Sequence, residues 1–135
     1  MKKSLFILLP FFFVAFAATA QVDPAKDPSV VYTKAEHMPA YKGGDSAWFR
    51  FLQKNLNYPV EAQNKEQQGT VMVGFIVDTT GKLSAVEAIT KPAKSLVEEA
   101  IRIIKLSDGN WEPATQNGYK VRCYAKKPIT FKLEN

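Results

Sequence analysis

Few residues in this chain have a type and spacing that could support catalysis. His37 is the only histidine and Cys123 the only cysteine, so a catalytic role for either would need partners from distant parts of the chain. Glu98 and Glu99 are adjacent, and adjacent residues of a helix point in different directions. We therefore interpret Glu98 and Glu99 as part of a solvated helix face and not as a paired acid and base.

Ordinary structural roles explain these residues better. His37 falls in a segment rich in proline and charge, where an exposed, inert side chain is the simpler interpretation. Cys123 falls on the apolar phase of an alternating segment, which favours a small buried hydrophobic residue over a nucleophile. The sequence also has no glycine-rich phosphate loop, metal-ligand spacing or G-x-S-x-G motif. We predict no catalytic residue, metal or cofactor and no enzymatic activity; an enzyme that uses Cys123 is the rival hypothesis.

The remaining candidate is an alternating segment near the C-terminus, YKVRCYAKKPITFKL. Its mostly apolar and mostly polar residues alternate, as in a half-buried strand. Pro128 lies inside the segment, and proline cannot donate a ladder hydrogen bond, so we expect this strand at a sheet edge. Lysine and proline can protect such an edge against aggregation, or the edge can be kept available for one extended peptide. The residues alone favour neither interpretation.

Pro128 also predicts which backbone groups face outward. The N–H groups of successive strand residues point to opposite edges, so the edge that Pro128 faces is shared by Arg122, Tyr124 and Lys126. A partner strand is expected to pair along 122–126 and to stop at the proline. The residues expected to pair inward with the first strand are Val121, Cys123 and Ala125.

The N-terminus predicts export. Lys2 and Lys3 precede an almost wholly apolar run, and Ala18-Thr19-Ala20 offers small residues at a cleavage site, as in a secretory signal peptide. The apolar run is shorter than the ~20 residues that span a membrane. We expect a mature chain that begins at Gln21; an uncleaved inner-membrane anchor is the alternative.

Charge and length limit the other functions. Removing 1–20 takes two lysines and no acid, so the balance falls from 18 basic and 13 acidic residues to 16 and 13. A net charge near +3 gives no indication of nucleic-acid binding. The mature chain of 135 − 20 = 115 residues suits one domain with a single core. With one cysteine, no internal disulfide can form, so packing must stabilise the fold.

Helical periodicity predicts three helices. Trp48, Leu52 and Leu56 lie at core-facing spacing, and Phe49 and Phe51 widen that stripe. A short second helix is expected to start at the proline of the Tyr-Pro pair that follows. An S-x-x-E capping box is expected to open the third helix.

Strand patterns predict an α+β fold. The stretch GTVMVGFIVDTTGKLSAVEAI predicts a hairpin, and an antiparallel sheet then requires the last strand to pair with the first. We expect a three-stranded antiparallel sheet of spatial order two-one-three, with two helices on one face and an added N-terminal helix. The chain divides into a signal peptide (1–20), an extended lead-in (21–40) with a short strand at Val30 to Thr33, and one domain (41–135).

The order of these motifs is similar to that of the C-terminal domain of TonB. The matching elements are Tyr58-Pro59 before a short helix, Gly69 entering a V-x-V-x-F-x-V strand, a D-x-x-G-K hairpin, a W-x-P motif and a closing strand that ends F-x-L. The resemblance covers 58–133. It implies an α+β domain that docks outer-membrane transporters by pairing its last strand with their TonB-box peptide.

The resemblance implies a periplasmic protein-binding module linked to TonB-dependent transport, whose pairing strand is Val121 to Lys127. Neither nucleic acid nor a small-molecule substrate is implied. The implied partner-binding residues are Arg122, Tyr124 and Lys126 on this strand, with Tyr58 and Pro59 near the bound peptide.

Two alternatives stay open within the binding class. The same fold can bind another envelope partner, or two copies can form a homodimer through the edge strand, with no role in energy transduction. A full transducer has a permanent membrane helix and a long spacer, whereas the lead-in of residues 21–40 reaches only ~70 Å at full extension. The expected function is therefore recognition of the partner, and the sequence leaves open whether force is transmitted.

Overall fold

The computed structural model describes residues 22–134, together with Ser4 and residues 10–15. The predicted signal peptide and its cleavage site lie outside the described residues, apart from Ser4 and 10–15. In these described parts of the chain, no helix is both long and apolar enough to cross a membrane.

Three α-helices, one short 3-10 helix and seven strands form the described fold. In chain order they are a 3-10 helix (Pro24–Lys26), β1 (Val31–Tyr32), β2 (Ala40–Tyr41), α1 (Gly44–Asn55), α2 (Val60–Asn64), β3 (Gly69–Val77), β4 (Leu83–Ala88), α3 (Lys94–Leu106), β5 (Trp111–Glu112), β6 (Ala114–Gln116) and β7 (Tyr119–Phe131).

The main sheet has five strands. Its path is β1-β7-β3-β4, and β6 also pairs with β7, while β2 and β5 form a separate two-stranded sheet. The α+β class is confirmed, but the prediction of a three-stranded sheet is wrong because short strands add to β7. The predicted neighbours β4, β3 and β7 do occur in that order within the larger sheet.

One face of β3 supplies the centre of the main core. Its alternating apolar side chains are completely buried, and residues of all three α-helices join the same cluster. The expected arrangement of two helices plus one added helix is therefore replaced by three helices that share one core. The buried cluster includes Val71, Val73, Phe75 and Val77 of β3, Trp48 of α1, Ala62 of α2, and Leu96, Ile103 and Ile104 of α3.

The lead-in packs against the last hairpin. Ala25 and Ala35 form a second, smaller cluster with Ala114, Val121 and Cys123. The short strand expected near 30–33 is present as β1, which is parallel to β7. Because these alanines are buried, the lead-in is held against the domain in this structure.

Two local details bear on the sequence predictions. The side chain of His37 is exposed as expected, but its backbone N–H donates to the Thr115 carbonyl at 3.2 Å and its carbonyl accepts the Thr115 N–H at 3.0 Å. The expected capping box at the third helix is wrong. The N-cap of α3 is Ala93, which has no side-chain capping bond.

Candidate peptide-docking edge

One side of β7 is paired along most of its length and the other side is mostly open. On the paired side, Cys123 to Phe131 lie opposite β3 in a continuous antiparallel register. On the side away from β3, β1 pairs at Arg122 and Cys123, and β6 pairs only with Tyr119 to Val121, before the stretch that faces β3. We call the side away from β3 the outer edge of β7.

The register shows which β7 residues face the outer edge. Pro128 lies opposite Met72. The Met72 carbonyl accepts the Ile89 N–H at 2.7 Å, and the Met72 N–H donates to Thr90 Oγ1 at 2.8 Å, so both groups point away from β7. Met72 and Pro128 are therefore a non-hydrogen-bonded pair, and the backbone of Pro128 faces outward. By alternation, the other outward residues are Arg122, Tyr124, Lys126 and Thr130.

β1 shortens the open part of this edge. Val31 lies opposite Arg122, and Tyr32 lies opposite Cys123. Since the hydrogen bonds of a parallel ladder are slanted, this register uses the outward groups of Arg122 and the N–H of Tyr124. The open edge thus begins at the Tyr124 carbonyl and runs to Thr130. It differs from the stretch 122–126 expected from the sequence: β1 covers its start, and it continues past Pro128, whose backbone lacks only the N–H and keeps its carbonyl.

The predicted side chains on this edge differ in exposure. Arg122 and Tyr124 are half-buried, and Lys126 is exposed. The Tyr124 ring lies across Gly74, where an added Cβ would be 2.1 Å from the tyrosine hydroxyl. The Lys126 ammonium lies 5.9 Å from the centre of the same ring. Tyr124 therefore covers the sheet opposite the helices, and Lys126 is the predicted residue most accessible to a partner.

Tyr58 and Pro59 lie at the far end of β7. The Tyr58 ring meets Phe131 edge-on, with ring centres 5.6 Å apart, and its hydroxyl donates to the Gln67 carbonyl. Pro59 is the N-cap residue of α2. Seven strand residues, or roughly 24 Å, separate Tyr124 from Phe131. The structure therefore places Tyr58 and Pro59 beside the C-terminal end of β7 and the other predicted residues in its middle, and it does not bring the two groups together.

A groove beside the outer edge was not predicted from the sequence. It has a volume of about 500 Å³ and lies between α1 and the second half of β7. Phe49 is 62% exposed in this groove, whereas Trp48 is only 4% exposed. The expectation that Phe49 widens the core-facing stripe of α1 is wrong, because this side chain faces the groove and not the core. An aromatic residue at the margin of the apolar stripe was the available sequence signal. The lining residues are Asp45, Trp48, Phe49 and Leu52 of α1 and Lys127, Pro128 and Thr130 of β7.

The chemistry of the edge is hydrogen bonding, apolar contact and positive charge. Burial raises the pKa of the Cys123 thiol, which disfavours the nucleophilic thiolate. Among the described residues, no group of three or more His, Cys, Asp or Glu side chains is placed to hold a metal ion. The open backbone groups of β7 are suited to pairing with another strand.

Comparison with known proteins gives a family and a fold. A family model described as the Gram-negative bacterial TonB protein C-terminal matches residues 54–133. An NMR structure of the Helicobacter pylori TonB C-terminal domain, residues 179–285, is 20% identical with a TM-score of 0.51, over 70% of this chain and 88% of that chain. A second NMR structure of the same H. pylori domain, residues 194–285, is also 20% identical and has a TM-score of 0.50. This match covers 67% of this chain and 94% of that chain. A comparison with curated protein sequences gives no match.

Proposed function

Because the chain belongs to the TonB C-terminal family, whose model matches residues 54–133, we propose that it docks the TonB-box peptide of an outer-membrane transporter by strand addition. The family consists of non-enzymatic interaction modules of the Gram-negative envelope that are associated with TonB-dependent transport. The open outer edge of β7 is the observation that carries the proposal, since unpaired strand groups can accept a further strand.

The proposed contacts follow the outward phase of β7. Lys126 is central, because both its N–H and its carbonyl face the open edge, and Tyr124 contributes its carbonyl. Arg122 contributes only where the peptide displaces β1, which pairs at this position. Tyr58 and Pro59 lie past the other end of the strand, where a longer peptide would reach them.

Backbone pairing alone supports only weak binding. About five new hydrogen bonds at ~1 kcal/mol each amount to ~5 kcal/mol, which corresponds to a Kd of a few tenths of a millimolar. Tighter binding therefore requires side-chain contacts or tethering at the membrane. A backbone-only peptide that bound at nanomolar strength would contradict this mechanism.

We also propose that the protein acts in the periplasm after removal of 1–20. The support is the positive, apolar and small-residue sequence of the N-terminus. N-terminal sequencing of the cellular protein should give Gln21 as the first residue. Recovery of a chain with an intact N-terminus in the membrane fraction would contradict the proposal.

Amide hydrogen exchange tests the docking proposal. The N–H groups of Lys126 and Thr130 should exchange rapidly in the mature protein and become protected when a synthetic TonB-box peptide is added. The inward N–H groups of Lys127 and Ile129 serve as controls, because pairing with β3 protects them in both states. Protection of Lys126 that rises with protein concentration without peptide would show a homodimer through this edge, and unchanged exchange with peptide would contradict docking there.

A further inference from the structure

We infer that the groove between α1 and β7 selects the docked peptide by taking a large apolar side chain from it. This inference rests on the proposed strand addition at β7 and extends it from backbone pairing to side-chain recognition. The occupant is an extended partner segment that places one large aliphatic or aromatic residue against Phe49.

The first support is that the groove and the open edge share residues. Pro128 and Thr130 line the groove, and the same two residues belong to the outward backbone phase of β7. A strand paired with β7 would lie ~4.8 Å from it, and its successive side chains would point to opposite faces of the sheet. Every second side chain of that strand would therefore point toward the face on which α1 packs.

The second support is the chemistry of the groove walls. The α1 side presents Phe49, which is 62% exposed, beside Trp48 and Leu52. The Lys127 ammonium lies 5.4 Å from the centre of the Trp48 ring, and Asp45 lines the same groove, so one charge of each sign lies beside the apolar residues. The exposed ring of Phe49 and the adjoining Leu52 favour contact with an apolar side chain, which gives up no hydrogen bond to water when it is buried there.

The volume also suits this occupant. About 500 Å³ lies within the range of small-molecule pockets, and it accommodates one large side chain with space to spare. Strand-addition sites combine backbone bonds for affinity with pockets for alternate side chains, and the open edge of β7 and this groove would supply one of each.

The test is a double-mutant cycle with the mature protein and a synthetic TonB-box peptide. Each peptide position is changed to alanine in turn, and binding is measured by fluorescence anisotropy with wild-type protein and with Phe49→Ser. With wild type, alanine at one large apolar position should weaken binding about tenfold, because several methylenes lose their burial. With Phe49→Ser, the same peptide change should weaken binding less than about threefold.

Leu106→Ser is the matched control, because Leu106 is an exposed apolar helix residue outside the groove at 49% exposure. It should leave the effect of the peptide alanine unchanged.

Lys126→Pro separates the groove inference from the edge-docking proposal on which it rests, since it removes an outward donor from the edge. If Lys126→Pro abolishes binding while Phe49→Ser leaves the alanine effect at tenfold, the groove inference is overturned and edge docking stands. If Lys126→Pro binds normally, edge docking itself fails. A Phe49-dependent dimer in sedimentation would place a second copy in the groove and also overturn the inference.

Discussion

The two outer strands that flank β3 in the main sheet, β4 and β7, expose their edges in different ways. β4 is six residues long, and its pairing with β3 shifts register between Gly74 and Ile76. Ala85, inside β4, has a positive φ of 51°, and the Leu83 N–H is capped by Asp108 Oδ1 at 2.8 Å. An irregular, side-chain-capped edge of this kind resists pairing with another chain.

β7 shows the opposite arrangement. Its nine residues from Cys123 to Phe131 pair with β3 without a register shift, so its outer edge is straight. Protection there is limited to Pro128 and to the two-residue strand β1 at the start. The comparison indicates that this fold blocks one edge with local irregularity and keeps the other regular, as a strand-addition site requires.

The largest loss of stability should come from truncating Trp48, the buried residue of α1 that packs beneath β7. Trp48 is buried between Tyr41, Phe51 and Trp111, with ring centres 5.2–5.6 Å away. Trp48→Ala should lower the free energy of unfolding by about 3–5 kcal/mol, measured by urea denaturation followed by circular dichroism. Phe49→Ala, at the neighbouring exposed position, should change it by less than about 0.5 kcal/mol. Equal losses in the two variants would mean that α1 does not support β7 as described.

The next effect separates the two sides of β7 with two adjacent lysines. Lys127 lies opposite Val73 in the hydrogen-bonded phase, so Lys127→Pro removes an internal ladder bond. It should cost about 2–3 kcal/mol, the upper part of the range for a buried group that loses its partner. Lys126→Pro removes only an outward N–H, so it should keep the domain within about 1 kcal/mol of wild type and abolish peptide binding. Thermal melts and a peptide titration on both variants give the answer. If the two variants exchanged behaviours, the outward phase of β7 would be wrong.

These contrasts also show what the sequence could predict. The long elements β3, β7, α1 and α3 have full periods of apolar residues, and Pro128 alone indicated the outward phase. The strands β1, β2, β5 and β6 have two or three residues, too few for any period, so tertiary pairing decides them. Phe49 belongs to the apolar residues of α1, but no element packs over it, so it lines the open groove between α1 and β7. Whether a residue faces a groove or the core depends on the neighbouring element, which local pattern does not contain.

A smaller effect concerns the contact that positions the end of α1. Glu99 is buried at 9% exposure, so the expectation that it lies on a solvated helix face is wrong. Its carboxylate accepts hydrogen bonds from Arg102 Nη2 at 2.6 Å and from the Asn57 N–H at 2.8 Å. Burial alone would raise the pKa of Glu99, but these donors outweigh it and hold the pKa below its ordinary value of 4.5. Because the folded pKa is the lower one, the stabilisation is present above about pH 4.5 and is lost as pH falls through the folded value. Glu99→Gln should cost about 2 kcal/mol at pH 7 and flatten the loss of stability below pH 4.5 in denaturant melts; an unchanged acid slope would assign that slope to other carboxylates.

The smallest effect on stability tests whether β1 limits the open edge. The parallel register of Val31 with Arg122 and Tyr32 with Cys123 directs the N–H of Tyr32 toward β7 and that of Val31 away from it. Tyr32→Pro should therefore release β1 at a cost of about 1 kcal/mol, the net value of a lost hydrogen bond, whereas Val31→Pro should keep the pairing.

Release of β1 frees the outward groups of Arg122, so amide exchange at Arg122 should quicken in Tyr32→Pro and slow again when a long TonB-box peptide is added. That peptide should then bind at least about fivefold tighter, since release of β1 makes the two outward groups of Arg122 and the N–H of Tyr124 available and each new hydrogen bond contributes ~1 kcal/mol. If Tyr32→Pro weakened peptide binding instead, β1 would be part of the docking surface and not its boundary.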